Sequence, residues 1–248
     1  MPSASWIARR AARDRAERRL CWWNYKGSTY FFTLYVYPPL VWPSVRFLAR
    51  RRVHPNWVSA LNVLLALGAV PLFAMALWVP GLCMAWTMSV LDSVDGKLAR
   101  LTYRASRLGN LLDHGLDIVH PPLWYLAWAW PLAERAAAGP IAWAAGLLVG
   151  GYVLDRLVTV AFKLLSERRL AGRRSIHAWR PLDVHARTFI SRRNINLPVF
   201  TLALPLGAAV PAFYAIALWQ LATLLFHAVR LAQLAAAPPC ATAQRASS

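Results

Sequence analysis

Four aspartates stand at the ends of two largely apolar stretches: Asp92, Asp95, Asp113 and Asp117. On a helix, Asp92 and Asp95 share one face, about 4.5 Å apart along the axis. Asp113 and Asp117, at i and i+4, share a face in the same way. An antiparallel hairpin of the two stretches brings both pairs together. Four ionised carboxylates in apolar surroundings repel one another and are poorly solvated, so they call for a cation. An all-oxygen donor set suits Mg²⁺ or Mn²⁺. Four carboxylates are enough for two ions sharing bridging oxygens, the clamp used in phosphoryl chemistry. No Cys or His cluster joins them to favour a softer metal, and Cys21, Cys83 and Cys240 are far apart in the chain. His114 adjoins Asp113 but points about 100° further around the helix; we read it as an interface or structural residue. Gly96, Ala99 and Gly109 are small residues on the acidic faces, which lets backbones approach closely or leaves room for a ligand.

The elements that must position these acids follow from composition. The chain has 248 residues, 58% hydrophobic and only 15% charged, yet 28 Lys+Arg against 10 Asp+Glu give a net charge of +18. Disordered chains lack this much apolar mass. A nucleic-acid binder needs a soluble polar surface on which to place its charge. An integral membrane protein with basic loops satisfies both facts. Apolar stretches fall at 57–79, 82–100, 108–130, 140–165, 197–210 and 211–234, the first two separated by a break at Pro80-Gly81. We therefore expect an all-α integral membrane protein with six transmembrane helices, the fifth of them short. Basic residues gather before the first stretch, after the second, after the fourth and after the sixth, which puts those four segments on the cytoplasmic side. The expected location is multi-pass in a bacterial inner membrane, with the N-terminus and the acidic rim cytoplasmic.

Residues 1–20 are basic, but no apolar core of a signal peptide follows them. Residues 30–48 mix aromatic residues with Pro38, Pro39 and Pro43 and read as an amphipathic segment lying in the interface. The expected organisation is a basic, interfacial segment over 1–52, a six-helix catalytic domain over 53–234 and a disordered tail over 235–248. The tryptophans are read mostly as interfacial belt residues. Asp155-Arg156 inside the fourth stretch is either a neutralising pair or a polar wall of a cavity.

The acidic segment, Asp92-x2-Asp95-Gly96-x2-Ala99-Arg100-x8-Gly109-x3-Asp113-x3-Asp117, resembles the signature of the CDP-alcohol phosphotransferase family, with every specified position filled. His54-Pro55-Asn56-Trp57-Val58-Ser59 is similar to the Pro-Asn-x-x-Thr stretch before that family's first span, with Ser59 in place of Thr. The resemblance implies a six-helix core and transfer of a substituted phosphate from a CDP-linked alcohol to an acceptor hydroxyl, releasing CMP. It implies that Asp92, Asp95 and Asp113 bind Mg²⁺ or Mn²⁺, two ions in all, and that Asp117 is both a metal-side ligand and the general base. Gly96 and Ala99 would lie against the cytidine, with Gly109 and Asn56 in the same substrate-binding set. Arg100 would contact phosphate or snorkel. Members often form dimers, so a homodimer is implied.

Two donors are open. CDP-diacylglycerol giving its phosphatidyl group to a soluble alcohol is the working expectation. The alternative is a CDP-choline or CDP-ethanolamine type donor giving its headgroup to diacylglycerol. Asp113-His114-Gly115-Leu116-Asp117 is similar to the second branch, and Trp23-Asn24-Tyr25-Lys26-Gly27 faintly so, but that branch is typically longer. An ion- or proton-coupled transporter also keeps intramembrane acids, although it would not need every motif position. The Arg-rich stretch 163–196 either binds an anionic acceptor or provides positive-inside charge against anionic lipids of the bilayer. Within it, Arg192, Arg193, Asn194 and Asn196 are the better candidates for substrate contact.

Overall fold

The computed structural model describes residues 35–104, 106–170 and 174–237, with the side chain of Asp113 outside the description. The Trp23–Gly27 stretch, the basic residues before 35, and the tail beyond 237 lie outside the described residues. Among the described residues the chain is entirely helical: α1 (Pro38–Arg50), α2 (Pro55–Ala74), α3 (Trp78–Thr102), α4 (Arg107–Arg135), α5 (Ala138–Arg169), a 3₁₀ turn (Ile176–Ala178), α6 (Pro181–Ala186), α7 (Arg193–Ala203) and α8 (Ala209–Ala236). The chain divides into two compact units, 1–69 with 80–120, and 70–79 with 121–248.

In the first unit, α1 places Val41 and Val45 one turn apart, so both face inward. With Tyr37 they pack against Val58 of α2 and against Val94 and Leu98 of α3, themselves i and i+4. The segment expected to lie in the interface therefore has one face covered by the unit's own core. α2 carries no charge and starts on Pro55, whose missing N–H falls among the unpaired donors of a first turn. A Cβ at Gly68 would stand 2.7 Å from Met84 Cε, so glycine is what lets α2 and α3 approach here.

Three turns between helices use a left-handed residue that is not glycine: Arg52, Ala76 and Tyr103, with φ of 55°, 57° and 55°. The reversal expected at Pro80-Gly81 occurs instead at Met75–Leu77. Pro80 sits in the first turn of α3, where its missing N–H costs nothing.

The second unit buries an aromatic cluster. Trp128 stacks on Phe200 with centroids 4.3 Å apart, and Phe73 meets Trp124 and Trp128 edge-on. Trp124 and Trp128 are 2% and 1% exposed, so they are core residues and not belt residues; Trp57, Trp130 and Trp143 are exposed. α5 and α8 pack along each other. Phe162, Ile176 and Leu234 close the end of this pair, joining the 3₁₀ turn to both helices. α8 continues to Ala236, so the expected tail loses its first two residues to the helix.

By length and composition, α2, α5 and α8 are apolar and long enough to cross a membrane. Their outward residues include Leu61, Leu64, Leu154, Leu157, Leu218 and Leu225, all exposed. Exposed leucines on three long apolar helices suit a hydrocarbon surround. α3 and α4 carry the carboxylates, and α7 has only 11 residues, so the described helices show three candidate spans where the sequence suggested six. The fifth stretch breaks after Ala203, and Gly207, with φ of 66°, carries the turn into α8.

Candidate active site

The acidic ends of α3 and α4 meet at one cavity in the first unit, with a volume of about 280 Å³. Its wall includes Asn56 and Ser59 of α2, Asp95, Gly96, Ala99 and Arg100 of α3, and Gly109 and His114 of α4. Five of the seven residues expected to bind substrate (Asn56, Gly96, Ala99, Arg100 and Gly109) are thus in one lining. Arg192 and Arg193 belong to the other unit. His114, expected to be structural, is exposed and also faces this cavity.

Local structure explains each placement. Ser106 precedes α4 and caps it: its Oγ accepts from the Gly109 N–H at 2.9 Å. The same hydroxyl donates to Asn56 Oδ1 at 2.6 Å, tying the start of α4 to the start of α2. A Cβ at Gly109 would lie 3.0 Å from Asn56 Oδ1 and 3.2 Å from Ser106 Oγ, so the glycine leaves space for this pair. The Arg100 Nε–H donates to the Gly96 carbonyl at 3.0 Å, folding the guanidinium along its own helix beside the cavity.

Asp95 is 5% exposed. A buried carboxylate requires donors, and α2 supplies them. Ser59 Oγ donates to Asp95 Oδ2 at 2.9 Å and Asn62 Nδ2 to the same oxygen at 3.3 Å. The Gly96 N–H donates to Oδ1 at 2.6 Å. Asp92 lies one turn earlier on α3 and is half-buried, while Asp117 on α4 is exposed. Among the described residues no three acids, histidines or cysteines converge on a single point; the fourth acid, Asp113, is described by its backbone only. The donor chemistry still fits a hard divalent cation. All four candidates are carboxylates, and the one at the cavity wall is oriented by neutral donors that leave its charge intact. Ser59 and Asn62 were not singled out as site residues by sequence. Two polar residues in an uncharged stretch were the available signal.

The second unit holds a buried polar cluster. Gln220, Thr223, His227 and Arg230 form one inward stripe along α8, each no more than 6% exposed. Asp155 of α5 pairs with His227 Nδ1 at 2.5 Å, so this acid finds its partner on α8, while the Arg156 guanidinium lies over the Tyr152 ring. Asp183 forms an ion pair with Arg230, Oδ1 to Nε 2.6 Å, and accepts from the Arg180 N–H at 2.8 Å, fastening α6 to α8. Arg230 is therefore a buried ion-pair member. Asn196, expected to contact substrate, donates to Tyr125 Oη at 2.8 Å and to Ser191 Oγ at 3.1 Å. Arg192 donates to His177 Nε2 at 3.1 Å. Burial, reinforced by the nearby Arg192, His227, Arg187 and Arg156, pushes the His177 imidazole down to about 2, so it is neutral at physiological pH.

Residues 52–232 match the family model of the CDP-alcohol phosphatidyltransferases. Archaetidylinositol phosphate synthase of Aeropyrum pernix is 34% identical over 90 residues, which cover 35% of this chain and 46% of that protein. The chain thus spans about half the length of that relative. The fold is similar to that of Mycobacterium tuberculosis phosphatidylinositol phosphate synthase in complex with manganese and citrate. That likeness has a TM-score of 0.52 and 21% identity, over 77% of this chain and 88% of that one. A second structure of that enzyme, with CDP-DAG bound, gives 0.50 and 18%, over 78% and 94%. Every specified position of the signature is filled in the chain, five of them (Asp95, Gly96, Ala99, Arg100 and Gly109) line one cavity, and the family model covers the helices that carry them: the protein belongs to the CDP-alcohol phosphatidyltransferase family.

Proposed function

We propose that the protein transfers a phosphatidyl group from CDP-diacylglycerol to the hydroxyl of a soluble, phosphate-bearing alcohol, releasing CMP. The observation that carries this reading is the single cavity wall shared by Asn56, Asp95, Gly96, Ala99, Arg100 and Gly109. Gly96 and Ala99 leave space for the flat cytosine and ribose. Arg100 lies at the same wall, where its charge suits a pyrophosphate. Asp92, Asp95, Asp113 and Asp117 would hold Mg²⁺ or Mn²⁺. When bound, such a cation neutralises the pyrophosphate oxygens and favours in-line displacement. The acceptor oxygen attacks the phosphorus that carries the diacylglycerol. Its bond to the CMP oxygen breaks, and Asp117 takes the hydroxyl proton. Ser59 and Asn62 hold the Asp95 carboxylate in one orientation throughout.

One observation supports a phosphate-bearing acceptor: the relatives found in Aeropyrum and Mycobacterium are both, by name, synthases of inositol phosphate lipids. We also propose that α3, α4 and the α7 region complete six membrane crossings with α2, α5 and α8, and that the acidic rim faces the cytoplasm as the basic loops suggest.

The test is CMP release from purified protein with Mn²⁺ or Mg²⁺, CDP-diacylglycerol and an inositol phosphate acceptor. CDP-choline with diacylglycerol forms the second arm. CMP in the first arm alone is expected. CMP in the second arm alone would overturn the donor assignment, and no CMP in either would overturn the reaction.

A further inference from the structure

The end of α3 brings a second arginine to the cavity of the first unit. Arg104 stands at one of the eight signature positions between Arg100 and Gly109 that specify no residue. It lines the same cavity as Asp95, Gly96, Ala99 and Arg100. It is exposed, and an exposed arginine in a chain of net charge +18 is by itself ordinary. Its placement is not.

Two backbone bonds fix that placement. The Arg104 N–H donates to the Ala99 carbonyl at 3.0 Å and the Tyr103 N–H to the Arg100 carbonyl at 3.4 Å, the paired bonds of a Schellman helix ending. Such an ending needs a left-handed residue. Tyr103 takes that conformation at φ 55°, although a side chain makes it costlier than for glycine. The Tyr103 side chain is 92% exposed, so its burial does not hold the turn. In this ending the position of Arg104 commonly makes an apolar contact with that of Ala99. Here the pair is an alanine of the cavity wall and an arginine. Two positions further on, Ser106 is held by the Gly109 N–H and by Asn56 Oδ1. The turn is thus tied to α3 on one side and to α4 and α2 on the other, all within the first unit.

The surrounding partners leave this arginine its charge. Asp95, the acid of the same wall, accepts from Ser59, Asn62 and the Gly96 N–H. Among the described residues Arg104 has no ion-pair partner. A guanidinium presents a planar fork of donors that suits phosphate oxygens two at a time.

We propose that Arg104 is a further phosphate-binding residue of this cavity, a specificity-determining cation that the chain adds at an open position of the signature. This rests on the proposed use of phosphate-bearing substrates at the same site. The phosphate belongs to the CDP moiety or to the acceptor, and the choice of ligand separates the two.

The experiment compares wild type, Arg104→Gln, Arg104→Glu, Arg107→Gln and Tyr103→Pro as full chains in detergent with Mn²⁺. Unliganded thermal midpoints report folding, and stabilisation is followed against cytidine, CMP, CDP and inositol phosphate. Arg107 is exposed and outside the cavity wall, so Arg107→Gln removes a charge without removing the contact. Arg104→Gln should weaken the response to at least one phosphate-bearing ligand roughly ten- to hundredfold, the usual range for a hydrogen bond to a charged group. Arg104→Glu should weaken it further, and the KM of the corresponding substrate should rise in the CMP-release assay. The cytidine response and all responses of Arg107→Gln should stay near wild type. A loss with CMP and CDP assigns the contact to the nucleotide's inner phosphate, a loss with CDP alone to its outer phosphate, and a loss with inositol phosphate alone to the acceptor. Tyr103→Pro cannot hold a positive φ and should reproduce the loss with the arginine still in the chain; if it fails to fold, the Arg104 variants decide. Wild-type responses to every phosphate-bearing ligand in both Arg104 variants would overturn the proposal. An equal loss in Arg107→Gln would also overturn it, since net charge would then account for the effect. A wild type that binds CDP but releases no CMP overturns the reaction and leaves the Arg104 comparison to be read on binding. A wild type stabilised by none of the ligands overturns the reading of the cavity, and the role of Arg104 with it.

Discussion

Removing the Ser59 hydroxyl tests how the site holds its charge. Asp95 is almost fully buried, and its Oδ2 accepts from Ser59 at 2.9 Å and Asn62 at 3.3 Å. The shorter contact is the stronger of the two. Ser59→Ala removes a hydrogen bond to an ionised acceptor, worth about 1.5–3 kcal/mol where a partner is left buried. The carboxylate then keeps one weaker donor from α2 and gains freedom to rotate away from the cation. Loss of an outer donor to a metal-binding carboxylate typically costs about 10–100-fold in metal affinity or activity, which agrees with the hydrogen-bond figure on a scale of 1.4 kcal/mol per factor of ten. The assay is CMP release at saturating substrates as Mn²⁺ is varied. Ser59→Ala should move the half-saturating Mn²⁺ concentration upward by that factor, with partial recovery of the maximal rate at high metal. Ser59→Thr keeps the hydroxyl and should stay within a few-fold of wild type. Asn62→Leu alone should cost less. The Ser59→Ala/Asn62→Leu double variant should differ from the sum of the two, because both donors serve one oxygen. A Ser59→Ala protein with the wild-type Mn²⁺ curve would refute the role of Asp95 as a ligand held by α2.

Three further outcomes are expected. Asp117→Asn removes the proton acceptor without changing size; CMP release should fall by at least about 10², while thermal protection by CDP persists, and a wild-type rate would exclude Asp117 as the base. Gly109→Ala places a Cβ at 3.0 Å from Asn56 Oδ1 and 3.2 Å from Ser106 Oγ; the KM for CDP-diacylglycerol should rise several-fold without loss of expression, and an unchanged KM would show that the Asn56–Ser106 pair does not shape the donor site. For pH, burial lowers His177 from 6.5 to about 2, so the neutral form is favoured in the folded state. Its stabilising contribution is then complete above 6.5 and is lost as the pH falls, because the unfolded chain takes up a proton that the folded chain refuses. The loss amounts to about 1.4 kcal/mol between pH 7.5 and 5.5. Thermal midpoints in detergent should fall over that range, and less so in His177→Gln; identical slopes would count against a neutral buried ring.

How much of this was legible in the sequence depended on the range of the interactions involved. The acidic signature is local: Asp92 and Asp95 lie one turn apart, as do Asp113 and Asp117. Helical periodicity alone therefore put each pair on one face, and the hairpin brings their stretches to one cavity wall. Gly96, Ala99 and Gly109 were readable for the same reason, since small residues on an acidic face imply a close neighbour. The helix ends were less legible. Pro80-Gly81 looks like a break, but proline is acceptable in a first turn, and the reversal falls on Ala76, whose positive φ no propensity would suggest. By length and composition only α2, α5 and α8 read as spans: in α3 and α4 hydropathy sums the carboxylates together with the apolar residues around them, and α7 is short.

The pairings of the second unit were beyond any local rule, and the reason is physical. Asp155 and His227 are 72 positions apart, and they meet only because α5 and α8 lie side by side. Arg156, the next residue in sequence, suggested itself as the partner of Asp155, but neighbours on a helix point about 100° apart, and Arg156 turns to the Tyr152 ring. The stripe of Gln220, Thr223, His227 and Arg230 does carry a readable signal. Polar residues spaced by three or four on one face of an apolar helix have to meet polar partners across an interface, since leaving them unpaired among hydrocarbon is costly. The stripe predicts a polar facing helix without saying which one. Charge counts mislead here for the same reason: Arg230 adds to the net +18 as any loop arginine does, yet it is consumed by Asp183 inside the fold. Which charges the fold consumes is therefore decided by the partners that it assigns to them, and composition alone cannot separate Arg230 from an arginine of a loop.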